Sequence, residues 1–370
     1  MTILKQVTLQ GFKSIKDMHL ELRPLNIMIG ANGAGKSNVV AFFKMLHEMM
    51  AGRLQTYIGT AGRAHSLLHY GANTTPHIEA TLQCEGENGV ETYHMRLLHA
   101  AGDTLIFAEE TLRFLLTCWA GPPQEVRLGS GHQETCLSDA ADRGEPTAKV
   151  FRHLLHHCRV YQFHDTSATA RIRQYCYVED NRWLMSDAGN LAAILYRLRQ
   201  HDTGLAYKRI VGTVRQIAPF FGDFELQPTG PGDRDIMLNW RERESDQLFG
   251  PHQLSDGTLR AMSLITLLQQ PVHDLPNLLI VDEPELGLHP VAKTIVAGLL
   301  KKASHHCQVI VATQSSALLD AFDPDEVIVV DWVDRQSMFR RLDAGSLQEW
   351  LKEYTLGQLW EKNVFGGGPF

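Results

Sequence analysis

The stretch that decides the fold runs from Leu254 to Pro290. LSDGT at 254–258 opens an apolar, helix-like segment, and after a Pro-containing turn comes LLIVDEPELGLHP at 278–290. Leu278 to Val281 is an unbroken apolar run of strand length that delivers Asp282 and Glu283 at its carboxyl end, where open parallel sheets place their ligands. Two adjacent carboxylates at such a point divide the labour. Asp282 suits a magnesium ion, held directly or through water, and Glu283 suits the orientation and activation of an attacking water. Ser255, Asp256 and Gly257, just before a helix, offer a hydroxyl, a flexible backbone and free N–H groups to an anion. Within one chain this patch does not easily reach the nucleotide served by Asp282, so it implies a second copy.

Far upstream, GANGAGKS at 30–37 fits the phosphate-loop spacing G-x-x-x-x-G-K-[ST] without departure. The strand-like run Leu25 to Ile29 precedes it and the helical pattern Val39 to Met50 follows, which is the strand-to-helix context the loop needs. Gly30, Gly33 and Gly35 let the backbone curl around phosphates with its N–H groups inward, and Ala31, Asn32, Ala34 and Asn38 complete the cradle. Lys36 reaches the β and γ oxygens, and Ser37 supplies a magnesium ligand. ATP and Mg2+ are the expected ligands.

The chain has 370 residues, long enough for a substantial core and for two or three domains. It is 44% hydrophobic and 21% charged, ordinary for a globular protein, and its net charge of −7 argues against an all-over basic surface. A local basic stripe remains open. Arg171, Arg173, Arg182, Arg197, Arg199, Lys208, Arg209 and Arg215 enrich the middle third, as a DNA-binding stripe or as a solvated helix face. The six cysteines, Cys84, Cys118, Cys136, Cys158, Cys176 and Cys307, show no C-x-x-C spacing and suit a reducing cytoplasm. No apolar run approaches the roughly 18 residues a membrane span needs, and the N-terminus opens into an alternating strand pattern instead of a signal segment.

Alternation predicts strands at Ile3 to Phe12 and Met18 to Leu22, then at His77 to Cys84, Glu91 to Leu98 and Thr104 to Leu115, the last three forming an antiparallel lobe. Cys118 to Glu145 reads as a surface loop, Thr147 to Cys158 as a helix and Arg159 to Phe163 as a short strand. Ser186 to Phe221 carries two helical patterns, and Phe224 to Leu226 and Asp235 to Trp240 read as strands. After the acidic strand end come a helix over Pro290 to Ser304, a strand over Val309 to Thr313, a helix after Ser315 and a final strand over Glu326 to Val330. These divisions give 1–166 and 251–370 as the two parts of a nucleotide-binding α/β unit, with 167–250 as a mainly helical insertion. Three glycines mark the tail, Phe365 to Phe370, as mobile or docked on a partner.

The N-terminal GFKSI strand end, the early phosphate loop, LSDGT and the DEP-type strand end together resemble the P-loop ABC-type ATPase heads of the SMC and RecF group. DEPELGLHP, YQFHDTS at 161–167, NLAAILYRLR from Asn190 and VATQS at 311–315 look more narrowly like compact ATPases related to the OLD nucleases. The resemblance implies an ATPase head with a mixed parallel core sheet, an antiparallel β lobe and a helical insertion. It implies a homodimer sandwiching two ATP molecules, each held by Lys36, Asp282 and Glu283 of one copy and by Ser255 and Gly257 of the other.

Two positions depart from the family pattern. Asp256 stands where many heads carry glycine, and must turn away from phosphates or meet a cation such as Arg260. Gln314 stands where many relatives carry a histidine against the terminal phosphate; its amide donates a hydrogen bond but does not titrate, which implies slower or less pH-sensitive hydrolysis. For the glutamine that couples magnesium to the interface, Gln162 is the first candidate and Gln55 the second. Long coiled-coil arms and the Toprim nuclease module are both missing from the sequence, as expected of a bare motor or switch.

Other constellations are weaker. His153, His156, His157 and Cys158 have metal-like spacing but no second pair, and read as solvated or partly packed residues. His305 and His306 suit a helix carboxyl end. His289 either touches a partner or nucleotide or is plain surface, and Lys13 either reaches a phosphate or is solvated. The leading expectation is a cytoplasmic ATP-dependent dimeric switch acting with DNA or with a separately encoded nuclease or toxin effector, in prokaryotic antiviral defence by resemblance. A RecF-like DNA repair ATPase is the alternative. The ATP-binding subunit of a membrane transporter is weaker, because GFKSI, the long middle and DEPELGLHP fit such subunits poorly.

Overall fold

The computed structural model describes residues 3–86, 89–117 and 121–368, and the chain forms two compact units, Met1–Arg159 with Asp323–Phe370, and Val160–Phe322. Cys118, and Pro369 and Phe370 of the tail, lie outside the described residues.

The first unit begins with β1 (Ile3–Phe12), β2 (Ile15–Glu21) and β3 (Leu25–Ile29), then α1 (Lys36–Met50), α2 (Leu54–Thr60) and α3 (Arg63–Leu67). The antiparallel lobe follows as β4 (His77–Gly86), β5 (Gly89–Ala100), β6 (Thr104–Leu116) and β7 (Gln124–Gly129), and then come α4 (Leu137–Asp142) and α5 (Pro146–His156). The order in this sheet is β2-β1-β4-β5-β6-β7, so the N-terminal hairpin and the later strands form one antiparallel surface. The β1–β2 turn is tighter than the sequence suggested: Phe12 pairs with Ile15, leaving Lys13 and Ser14 at the bend with Lys13 at φ +50°.

The expected surface loop over 118–145 contains β7 and α4 instead. Its glycines and charges are used to build a strand edge and to bend the chain: Gly129 and Gly131 adopt left-handed φ, and the Glu134 carboxylate accepts from the Leu54 and Gln55 N–H groups at the start of α2, at 2.9 and 3.0 Å. At α5, Glu145 caps the helix through the Ala148 N–H and Pro146 takes the first turn, where its missing N–H costs nothing.

The second unit runs past β8 (Cys158–Tyr161) through β9 (Cys176–Tyr177), α6 (Leu191–Gln200), α7 (Leu205–Ile217), β10 (Phe221–Glu225), β11 (Asp235–Ile236), β12 (Asn239–Glu242) and β13 (Leu248–Phe249). The 167–250 segment thus holds two α-helices and several short strands; Trp240 stacks on Phe221 and Phe249, and Phe224 meets Phe221 edge to face. Then follow α8 (Asp256–Gln269), β14 (Leu278–Asp282), α9 (Pro290–Ser304), β15 (Gln308–Thr313) and α10 (Ser316–Leu319). β14 and β15 pair in parallel, with Asp282 opposite Ala312, and every residue of both strands is buried. That explains their uniformly apolar interiors, since a parallel strand covered on both faces has no solvent side.

The chain returns to the first unit with β16 (Val327–Val333), β17 (Gln336–Arg341), α11 (Ala344–Leu347) and α12 (Leu356–Glu361). β16 is not the last strand, as the sequence reading had it. Asp334 and Arg335, both left-handed, turn it back into β17, a two-residue hairpin for which the sequence offers no glycine signal. β16 also pairs in parallel with β3, Val327 opposite Ile27. The protein is an α/β chain with mixed and antiparallel sheets, and none of the described helices is long and apolar enough to cross a membrane.

The core beneath α1 is built from Val39, Val40, Phe42, Phe43, Met45 and Leu46, with Phe42 edge-on to Phe12 of β1 at 5.8 Å. Phe42 is fully buried. Phe42→Ala is expected to cost about 3–5 kcal/mol of stability, read as a lowered urea midpoint, because the vacated volume sits among already packed rings.

Candidate functional site

In the first unit the phosphate loop leaves β3 at Gly30, where an added Cβ would stand 2.3 Å from the Val330 carbonyl oxygen of β16. Only glycine fits there. Gly33 and Gly35 have φ of +79° and +114°, and Gly35 is the residue that caps α1, with Ser337 too close to allow a side chain. Lys36 is buried, and its Nζ donates to the carbonyls of Gly30 and Ala31 at 2.6 and 3.0 Å, which holds the ammonium inside the loop's curl. Asn32, Gly33 and Ser37 are exposed, Ala31 and Asn38 are half-buried, and Ala34 is buried. Asn38 donates to the Ser14 hydroxyl, which also meets the Ser337 hydroxyl, so the GFKSI turn braces the start of α1. Lys13, next to Ser14, is half-buried, and burial lowers its pKa from the ordinary lysine value.

The second unit gathers four of the predicted residues at the carboxyl ends of β14 and β15. Asp282 is buried, and its Oδ2 accepts from Gln162 Nε2 at 2.8 Å. Gln55, the other candidate for that role, is spent elsewhere: its amide donates to the carbonyls of Leu105 and Gln133, at 3.0 and 2.7 Å, in the antiparallel lobe. Glu283 has φ +48°, a left-handed conformation that costs a non-glycine residue about 1–3 kcal/mol and collects at functional sites. Its own N–H bonds the Ala312 carbonyl at 2.8 Å, and its Oε1 accepts from Gln314 Nε2. The strain turns the carboxylate out of the strand's pleat while the backbone stays pinned to β15.

Two residues that sequence reasoning did not assign complete this cluster. His164 Nε2 lies 3.2 Å from the Asp282 carbonyl and 4.0 Å from Glu283 Oε2. Glu285 is buried, accepting from the Thr313 hydroxyl at 2.6 Å and the Gln314 N–H at 3.1 Å, while its Oε2 has no partner among the described residues. Burial first, and then the Glu283 charge, push the Glu285 pKa above the ordinary carboxylate range. His164 lies inside the quoted YQFHDTS tract and Glu285 inside DEPELGLHP, so the signal was position within a motif already singled out.

Ser255 is exposed at the start of α8, where its hydroxyl accepts from the Thr258 N–H at 3.2 Å as the helix cap. Gly257 is required by contact: a Cβ there would stand 2.3 Å from the Gly287 carbonyl oxygen. Arg260, suggested as the cation for Asp256, is committed to carbonyls instead, those of Phe163 at 3.0 Å, His164 at 2.8 Å and Leu286 at 3.3 Å. Asp256 pairs with Arg173 at 2.8 Å. Arg173 in turn is buried and donates to the carbonyls of Thr166, Pro251 and Leu254. That corrects its reading as a DNA-facing residue. A guanidinium with five donors and no acceptor is the group that can satisfy four acceptors on the approach to α8 at once. His289 is the exposed cap residue of α9 and makes no side-chain cap bond.

Residues 172–320 match a family described as "AAA domain, putative AbiEii toxin, Type IV TA system". No curated protein matches the chain. Solved SMC head domains match across nearly the whole of it. The Smc head domain with an extended coiled coil bound to the C-terminal domain of ScpA, from Pyrococcus furiosus, is 14% identical with a TM-score of 0.61, covering 95% of this chain and 99% of that one. An Smc head bound to the C-winged helix domain of ScpA is 16% identical with a TM-score of 0.58, covering 94% and 99%. The Smc head domain with a coiled coil and joint from Pyrococcus yayanosii is 12% identical at 0.53, covering 95% and 99%. The chain therefore has the compact ABC/SMC-head P-loop fold.

Glu285 supplies a pH test. A carboxyl whose folded pKa lies above its unfolded value contributes stability that is fully present below the unfolded pKa and is lost as pH rises through the folded one. The stability of wild type relative to Glu285→Gln is therefore expected to fall as pH rises from the ordinary carboxylate range upward, in chemical unfolding followed from pH 4 to 8. A pH-independent difference contradicts the assignment.

Proposed function

We propose that this protein is a magnesium-dependent ATPase that works as a homodimeric nucleotide switch in the cytoplasm and delivers its output to a separately encoded nuclease or toxin effector in antiviral defence. The observation that carries the reading is the strained Glu283, held beside Asp282 by Gln314, in a chain that also has a complete phosphate loop.

In this reading Lys36 and the loop N–H groups neutralise the ATP phosphates. The Ser37 hydroxyl and the Asp282 carboxylate are hard oxygen donors of the kind magnesium takes, and the ion when bound supplies charge neutralisation between the β and γ phosphates. Gln162 orients the Asp282 carboxylate by donating its amide to Oδ2 at 2.8 Å. Glu283 orients the water and takes its proton as the water oxygen bonds phosphorus and the bond to ADP breaks. With Oε1 held by Gln314, Oε2 is the oxygen left for that proton. Ser255 and Gly257 serve the nucleotide of the second copy.

The defence role is supported by the family description matched at 172–320, and the dimer by the SMC-head fold. DNA is a weaker partner than protein. Arg171 pairs with Asp187, Arg197 with Asp274, Arg215 with the Gly222 carbonyl, and Arg173 is buried, so much of the basic middle third serves the chain's own structure.

The test is Glu283→Gln. Turnover is expected to fall by about 10²–10⁴-fold while ATP stays bound, and size-exclusion chromatography with ATP is expected to show a stabilised dimer. A strictly monomeric profile, or wild-type turnover, contradicts the reading. Stimulation of hydrolysis by duplex DNA with a steep salt dependence would move the output from an effector to DNA.

A further inference from the structure

The antiparallel lobe of the first unit contains a second cluster of chemically capable side chains. Glu110 of β6 is completely buried between two register shifts, one against β5 and one against β7. Its Oε1 accepts from the Tyr93 hydroxyl at 2.6 Å and from the Thr135 hydroxyl. Its Oε2 meets the Cys136 N–H at 3.0 Å and His132 Nε2 at 2.9 Å. One ligand-type atom each from Glu110, His132 and Cys136 lie within 4.8 Å of one another.

The groups are held before any ligand arrives. The Phe107 N–H bonds the His132 carbonyl at 2.9 Å, the Gly131 N–H bonds the Phe107 carbonyl at 2.7 Å, and the imidazole stacks on the Phe107 ring at 4.6 Å. On either side of Glu134, which caps α2, the chain is anchored again, with Gln55 donating to the Gln133 carbonyl. A short segment fixed at so many points is an unusual place for a carboxylate, an imidazole and a thiol to meet.

We propose that Glu110, His132 and Cys136 form a zinc site, with a water as the fourth ligand. Tetrahedral zinc with bonds of about 2.0 Å to N or O and about 2.3 Å to S sets these ligand atoms about 3.3–3.5 Å apart, so the Glu110–His132 pair, at 2.9 Å, opens by about 0.4 Å and the pairs with sulfur close by no more than about 1.3 Å. Binding displaces the Cys136 thiol proton to solvent and moves the remaining imidazole proton to Nδ1. The thiolate and the Glu110 carboxylate then balance the 2+ charge, which leaves the half-buried site neutral. Only the His132 donor is lost from Glu110. The Tyr93 and Thr135 hydroxyls stay on Oε1 and orient the ligating carboxylate.

Cobalt titration of the metal-depleted full-length protein tests this. One equivalent of Co2+ is expected to give thiolate-to-metal charge-transfer absorption and the visible bands of a four-coordinate ion, both displaced by Zn2+. Cys136→Ser is expected to lose the charge-transfer band. His132→Gln, whose amide can still donate to Glu110 and so keeps the lobe folded, is expected to bind at least about 100-fold more weakly. Lys36→Ala should leave both signals unchanged, which separates this site from the nucleotide. Absence of the thiolate band in wild type, or unchanged affinity in either ligand variant, overturns the proposal.

Discussion

The close approach of Gly257 to Gly287 is the contact on which the second unit's chemistry depends. It sets the start of α8 directly against the turn that follows Asp282 and Glu283, with no room for even a methyl group. Arg260, one turn into the same helix, fastens the arrangement by donating to the Leu286 carbonyl on one side and to Phe163 and His164 on the other. One guanidinium therefore ties together α8, the acidic turn and the loop that carries Gln162. A movement of any of the three therefore loads the other two.

Within that frame the two acids receive opposite treatment. Asp282 is buried at the end of a parallel strand with one oxygen held by an amide, a fixed group suited to an ion. Glu283 is partly exposed and left-handed, its orientation set by Gln314, which is itself braced through Glu285 and Thr313. An amide at this position keeps the Glu283 carboxylate oriented over a wide pH range because it carries no titrating proton. Glu285 adds the opposite property, a buried carboxyl one hydrogen bond behind the Gln314 backbone whose proton affinity burial has raised.

Much of this was legible in the sequence, and the reasons for the failures are physical. Apolar runs such as Leu278 to Val281, and Leu25 to Ile29 with its single Asn26, fit buried strands, and Gly33 and Gly35 of the phosphate loop occupy conformations only glycine takes easily. Long-range pairing was not legible. Nothing local distinguishes Arg173 from Arg171, yet one is buried against the Asp256 carboxylate and several carbonyls and the other is exposed beside Asp187. Likewise Cys118 to Glu145 looked like loop by composition, and its β7 edge strand and Glu110 partners depend on β6, which periodicity alone cannot pair with it. The left-handed Asp334 and Arg335 hid the β16–β17 hairpin because the usual Asn or Gly turn signal is absent.

The central claim is that each ATP site is shared between two copies, and mixing two inactive variants tests it most directly. Lys36→Ala lacks the phosphate-binding side of the site and Ser255→Arg blocks the partner side, so each alone should hydrolyse almost nothing. In a mixed dimer one site combines both defects and the other is intact, so an equimolar mixture is predicted to recover about one quarter of wild-type turnover. A mixture as inactive as its two components would show that Lys36 and Ser255 serve the same copy's nucleotide, and would contradict the account.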